Sequence, residues 1–162
     1  VNGSIEMTDG VVIINGPTEN MNGALDHVGF TMTGGYLVAA GSSGMAQGPD
    51  ETSTQNSVIV NFDSMLAAGT LVHIQSSAGE DVLTFAPAKA FQSIAFSSPD
   101  LAAGASYSVY YGGTTSGVAD SGLFEAGTYA PGTLVTDFTV SGAVTWIGGR
   151  GQPGPGRRQS AS

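Results

Sequence analysis

The sequence predicts an all-β protein in which residues 1–49 form the terminal coils of a parallel β-helix and residues 50–147 form an antiparallel, β-rich capping domain. Three observations lead there. Apolar residues come in short β-branched or aromatic bursts between turn signals, with 25 glycines in 162 residues, which is the pattern of strands and tight corners. No helical periodicity runs beyond about two turns; SMLAAG at 64–69 and APAKAF at 86–91 are too short to organise a core. Finally, the phrase IEMTDGVVIING at 5–16 returns as FTMTGGYLVAAG at 30–41.

Laid over one another at that spacing, Ile5 falls on Phe30, Met7 on Met32, Ile13 on Val38, Gly10 on Gly35 and Gly16 on Gly41. Apolar meets apolar and corner meets corner. The first strand is 5–7, a Thr-Asp-Gly corner follows, and the second strand is 11–14. The copy gives 30–32, a Thr-Gly-Gly corner, and 36–39. Glycine permits the positive φ of a sharp bend. A third short piece, NGALD at 22–26, has a weaker partner in SSGMA at 42–46. Short strands repeated at a fixed period describe coils in which each strand pairs with its counterpart one coil later, about 4.8 Å away. The rival reading is two β-hairpins with similar turns in an ordinary sandwich. In the coil reading the apolar end at Val1 and its strand edges need a cover: upstream coils, another copy of the chain, or a partner.

The repeat stops after Gly44, and GPDETSTQN at 48–56 reads as a polar loop. The segments 57–62, 70–76, 81–86, 92–97, 106–111, 136–140 and 144–147 then alternate as short strands. SAGE at 77–80 is a hairpin turn, and SSPDLAAG at 97–104 and YAPGT at 129–133 are Pro/Gly corners. The segment 148–162, rich in Gly, Pro and Arg, holds too little apolar surface to order itself and is expected to be a disordered tail.

Composition excludes several functions. There is no cysteine, hence no disulfide or thiolate metal site. No run of eighteen apolar residues predicts a membrane span. The chain opens on Val1 with no basic-then-apolar leader, and is expected to be a processed product or a fragment. All thirteen acidic residues precede Arg150, and Lys89 is the one cation among them. A surface of that sign repels phosphate backbones and anionic headgroups, so nucleic acid and membrane are not expected partners, whereas divalent cations are.

Several phrases, NGALDHVGFTMTGGYLVAAGSSGMAQGP, STQNSVIVNFD, FAPAKAFQSIAFSSPDL, YSVYYGG and FTVSGAVTW, together resemble a family of extracellular carbohydrate-binding proteins from cellulose-degrading clostridia. That family has a right-handed parallel β-helix similar in fold to pectate lyases. The resemblance covers most of 20–147 and is to the C-terminal end of longer proteins. It implies a non-catalytic, extracellular or cell-surface module that binds plant cell-wall polysaccharides, cellulose and polygalacturonate among them, with bound calcium.

Residue by residue, calcium ligation calls for six to eight oxygens. The stretch from Asn15 through Glu19, Asn20 and Asn22 to Asp26 offers them near a corner, Asp9 faces the next corner, and Asp50 and Glu51 lie together. No EF-hand spacing is present, and carboxylates at such corners are more often solvated turn residues than ligands. Tyr36, Tyr110 and Trp146 are the candidate carbohydrate-stacking rings; alternation puts Tyr110 on the opposite side of its strand from Tyr107 and Tyr111, and Trp146 also suits a capping role. A polygalacturonate lyase needs a cationic base, for which Lys89 is the only candidate before residue 150. His27 and His73 stand isolated and read as structural or exposed. Besides glycan binding, two readings remain: a structural or adhesin subunit that self-associates through its N-terminal strand edges, and a divergent pectate lyase.

Overall fold

The computed structural model describes residues 3–19, 23–44 and 46–148. Its described residues hold fifteen strands and no helix. β1 (Ser4–Met7), β2 (Val11–Asn15), β3 (Gly29–Met32) and β4 (Tyr36–Gly41) come from the duplicated phrase. There follow β5 (Ser57–Leu66), β6 (Val72–Ser76), β7 (Asp81–Phe85), β8 (Phe91–Ser97) and β9 (Ser106–Tyr111). The last six are β10 (Thr114–Thr115), β11 (Val118–Asp120), β12 (Leu123–Glu125), β13 (Tyr129–Ala130), β14 (Thr133–Thr139) and β15 (Val144–Ile147).

The duplicated phrase stacks in parallel at the expected offset. Ile5 is opposite Phe30 and Met7 opposite Met32 in the β1–β3 pair, while Val11 meets Tyr36 and Ile13 meets Val38 in the β2–β4 pair. Backbone bonds carry the stacking through the corner, from Thr33 N–H to the Met7 carbonyl at 2.9 Å and from Tyr36 N–H to the Gly10 carbonyl at 2.8 Å. These pairings rule out the hairpin alternative, which requires antiparallel neighbours. The third expected strand pair does not form: residues 23–28 and 42–44 are irregular, and residues 22 and 45 lie outside the described residues. Ala24 instead packs into the space left by Gly16 and Gly41; a Cβ on Gly16 would sit 2.5 Å from the Ala24 Cα.

Three layers result, none of them closed. The middle layer is a five-stranded sheet in the order β15-β5-β8-β4-β2. β8 runs antiparallel to β4 and β5, whereas the outer pairs β2–β4 and β5–β15 are parallel. The sheet is thus mixed where the sequence suggested antiparallel pairing from residue 57 onward, because β15 returns beside β5. A six-stranded antiparallel sheet, β11-β12-β7-β6-β9-β14, covers one face, and the β1–β3 pair covers part of the other. From residue 149 onward the expected tail lies outside the described residues.

Burial of the middle sheet on both faces explains its composition, since a strand covered on both sides reads as a continuous apolar run. Toward the six-stranded sheet it presents Val38, Val58, Val60, Ile94 and Phe96, which pack on Val72, Ile74, Leu83, Phe85 and Val109. Toward β1–β3 it presents Leu37, Ala39, Ile59 and Ala95 against Met7, Phe30 and Met32. Side-chain size is sorted by face: Val38 is opposite Phe96, and Ala39 is opposite Ala95. The small pair lets the third layer approach. Phe85, Phe91 and Phe96 are fully buried, each stabilising the fold by about 2–3 kcal/mol through removal of apolar area from water.

The two matched corners test this packing. Gly10 and Gly35 have φ of 93° and 92°, a region disfavoured for residues bearing a Cβ. A Cβ on Gly10 meets nothing within 4 Å, whereas one on Gly35 meets the Asp9 backbone carbon and the Gly10 carbonyl oxygen, each at 3.0 Å. Gly10→Ala is expected to lower unfolding free energy by ~1 kcal/mol from backbone strain alone, and Gly35→Ala by ~3 kcal/mol because coil-to-coil crowding is added. Urea denaturation of the two variants measures the difference; equal losses would contradict the stacked corner.

Candidate groove beside Trp146

The polar loop after the repeat is held as a second partner of β3, on the edge away from β1. Asp50 N–H donates to the Phe30 carbonyl at 2.8 Å, and Phe30 N–H donates to Asp50 Oδ2 at 3.0 Å. Thr52 N–H donates to Asp50 Oδ1 at 3.0 Å, and the Thr52 hydroxyl donates to the same oxygen. Met32 N–H reaches Ser53 Oγ at 2.9 Å, and Thr54 N–H reaches the Met32 carbonyl at 3.0 Å. The Thr52 hydroxyl first, and the Phe30 N–H next, hold the Asp50 carboxyl below the usual carboxylate range.

Anchoring this loop shapes an open groove of about 310 Å3, lined by His27, Gln47, Asp50, Glu51 and Trp146 over a floor that includes Ile59. Trp146 stands opposite Ile59 in the β15–β5 register and is half-buried. The His27 ring meets the Phe30 ring edge-on, with centroids 5.3 Å apart, and His27 N–H donates to Gln47 Oε1 at 3.2 Å. Neither His27 ring nitrogen has a partner of good hydrogen-bond geometry, although the nearby Gly48 backbone favours protonation. Burial outweighs that contact and lowers the His27 pKa.

The expected site residues are therefore partly assembled. Asp50, Glu51 and Trp146 share the groove, and Asp26 is exposed in the loop leading to His27. Asp9 is elsewhere, in the β1–β2 corner, where its carboxylate accepts from Gly10 N–H at 2.7 Å. Asn22 lies outside the described residues. Among the described residues no three His, Asp or Glu side chains converge as metal ligands. The oxygen chemistry of Gln47, Asp50 and Glu51 fits a hard cation such as calcium, with Asp50 already engaged by its loop.

Two rings assigned to glycan stacking lie apart from Trp146. Tyr36 lines a second groove, of about 320 Å3, with Val11, Asp81 and Glu125; burial first, and then the carboxylates of Asp100 and Glu125, push its phenol pKa up. Its ring packs edge-on against Phe96 at 5.3 Å, which identifies it chiefly as a core residue. Tyr110 lies on the outer face of the six-stranded sheet, tilted against His73 and Tyr129 at 6.2 and 6.1 Å.

His73 and Tyr129 form an unexpected unit. Their rings stack at 3.9 Å with planes 16° apart, and His73 is fully buried. Nδ1 is 2.8 Å from Thr84 Oγ1, while Nε2 is 3.1 Å from Gln75 Oε1 and 3.4 Å from Asp81 Oδ1. Facing two acceptors, Nε2 carries the proton of the neutral ring and Nδ1 accepts from Thr84; this tautomer is assigned from the network. Tyr129 belongs to a strap, 112–132, and fastens both its ends by donating to the Gly112 carbonyl at 2.7 Å and accepting from Gly132 N–H at 3.1 Å. The sequence marks His73 only as isolated; in the structure it opposes the core-facing Val72 and Ile74 on β6, under a strap that the sequence does not announce.

No protein-family model, curated protein or solved structure matches the chain. No helix among the described residues is long and apolar enough to cross a membrane.

Both histidines have pKa values lowered chiefly by burial. The unfolded chain then takes up protons first as pH falls through about 6.5, so stability is full above that value and declines below it until the folded-state pKa values are passed. Unfolding free energy is expected to rise with pH between about 5 and 7. Denaturant titrations at several pH values measure this slope, and His73→Gln should flatten it. An unchanged slope in the variant would place the proton uptake elsewhere.

Proposed function

We propose that this chain is a non-catalytic polysaccharide-binding module of the cell exterior, with the groove beside Trp146 as its glycan contact. The observation that carries this reading is a half-buried indole in an open groove whose rim supplies amide and carboxylate oxygens. A sugar presents an apolar face that stacks on such a ring and hydroxyls that bond to such a rim. Plant cell-wall polymers, neutral or uronate-bearing, are the proposed ligands. A uronate would approach carboxylates of its own sign, so calcium shared between Glu51, Asp50 or Gln47 and the polymer would offset the repulsion.

The non-catalytic reading is supported by the Asp50 carboxylate being occupied with three donors. In the same reading β1–β4 are closing coils of a right-handed parallel β-helix. Support comes from the two in-register parallel pairs at one common offset.

A glycan array probed with this chain, with and without calcium, tests the proposal. Cell-wall glycans should be retained, uronate binding should disappear in excess EDTA, and Trp146→Ala should weaken binding about tenfold, ~1.4 kcal/mol, at a temperature where circular dichroism shows the variant still folded. No retention of any glycan would reject the function, and uronate retention in EDTA would reject the bridging cation.

A further inference from the structure

The outer face of the six-stranded sheet looks away from the middle sheet, and its side chains fall in rows across the strands. Paired positions put Leu134, Tyr110 and His73 in one row, and Asp137, Ser108, Gln75 and Asp81 in the next, on β14, β9, β6 and β7. Tyr110, Ser108, His73 and Gln75 alternate with the core-facing Val109, Tyr107, Val72 and Ile74. Tyr110 is half-buried, and Leu134 beside it is 49% exposed. Coils preceding β1 would stack beside β1 and β2, not over these rows. β2 borders the β7–β12 side of the sheet through Val11, whereas β9 and β14 lie near Phe62 and Leu66 of β5.

The buried histidine orders this surface from beneath. His73 Nε2 donates to Gln75 Oε1 at 3.1 Å, which holds the amide oxygen inward and turns the NH2 group outward as a donor. The Ser108 hydroxyl donates to Asp137 Oδ1, leaving Oδ2 as an acceptor. The Tyr110 ring is tilted between His73 and Tyr129, at 6.2 and 6.1 Å, so the strap stands as a wall beside it. Donor, acceptor and ring are in place before any ligand arrives, which lowers the ordering cost of binding.

We propose that this face is a second glycan contact, for one extended chain of a neutral β-linked glucan laid across the strands. The inference extends the polysaccharide-binding reading and rests on it. Tyr110 takes the apolar face of one sugar, while Gln75 and Asp137 bond to hydroxyls of its neighbours. Strands recur about 4.8 Å apart, close to the length of one sugar in an extended chain, so successive residues of a row meet successive sugars. Charge selects the occupant: β6, β7, β9 and β14 hold no Lys or Arg, and Asp81 and Asp137 repel a uronate polymer. Binding here is therefore independent of calcium, unlike uronate binding beside Trp146.

Nuclear magnetic resonance of the isotope-labelled chain titrated with cellohexaose in excess EDTA tests the inference. Amide signals of Gln75, Ser108, Tyr110 and Asp137 should shift, and maltohexaose, whose chain coils, should bind at least tenfold more weakly. By calorimetry Tyr110→Ala should weaken cellohexaose binding at least fivefold and Gln75→Ala at least threefold, each variant shown folded by circular dichroism. Tyr110→Phe should stay close to the parent, because it keeps the ring. An outer face without shifts, equal affinity for maltohexaose, or undiminished binding by Tyr110→Ala would overturn the proposal. Shifts confined to Trp146 and its neighbours would overturn it and leave the groove reading intact. Outer-face shifts with a silent groove would support it and remove the groove as the contact for neutral glycans.

Discussion

Burial of the middle sheet on both faces is the constraint on which the rest of the structure depends. It requires each strand to be apolar on both sides, and it requires two covering layers at different distances. Pairing Ala39 with Ala95 on one face and Val38 with Phe96 on the other meets both demands within adjacent positions of the same strands. The thin side admits β1 and β3; the thick side carries the aromatic core. Replacing the alanines by larger residues would push the β1–β3 layer outward, and with it the Asp50 loop hydrogen-bonded along β3.

The groove beside Trp146 inherits its shape from this arrangement. Phe30 contributes its side chain to the thin core and its backbone to the Asp50 carboxylate, so a single residue couples the packing of the layer to the position of the loop. Trp146 comes from the opposite edge strand, β15, and is set by its register with Ile59. A site built this way is held by strands on two sides, which favours a preformed surface over one that closes around its ligand.

The offset of the duplicated phrase was legible because every matched position in 5–16 and 30–41 repeats a physical requirement: Met7 and Met32 fill the core, and Gly10 and Gly35 turn with positive φ. The insertion of β8 between β4 and β5 was not legible, since Phe91–Ser97 carries no local mark of which strands it will join. Strands 114–130 were missed because their Thr, Gly and Ala content resembles loop, and they are fastened by Tyr129 rather than by apolar alternation. In the groove, Asp50 and Glu51 were picked out as a pair and Trp146 separately. Their convergence with His27 depends on β3 covering the face of the middle sheet from which Trp146 projects on β15, a long-range fact that composition and spacing do not encode.

The strand directions in the middle sheet also bear on mechanics. β2 and β15 occupy its opposite edges and run in the same direction, with β8 alone reversed among the five. Tension applied between the start of β2 and the end of β15 therefore pulls these edges in opposite senses along the strand axes. The rungs between them are loaded together in shear rather than peeled one at a time, a geometry that resists force by sharing it.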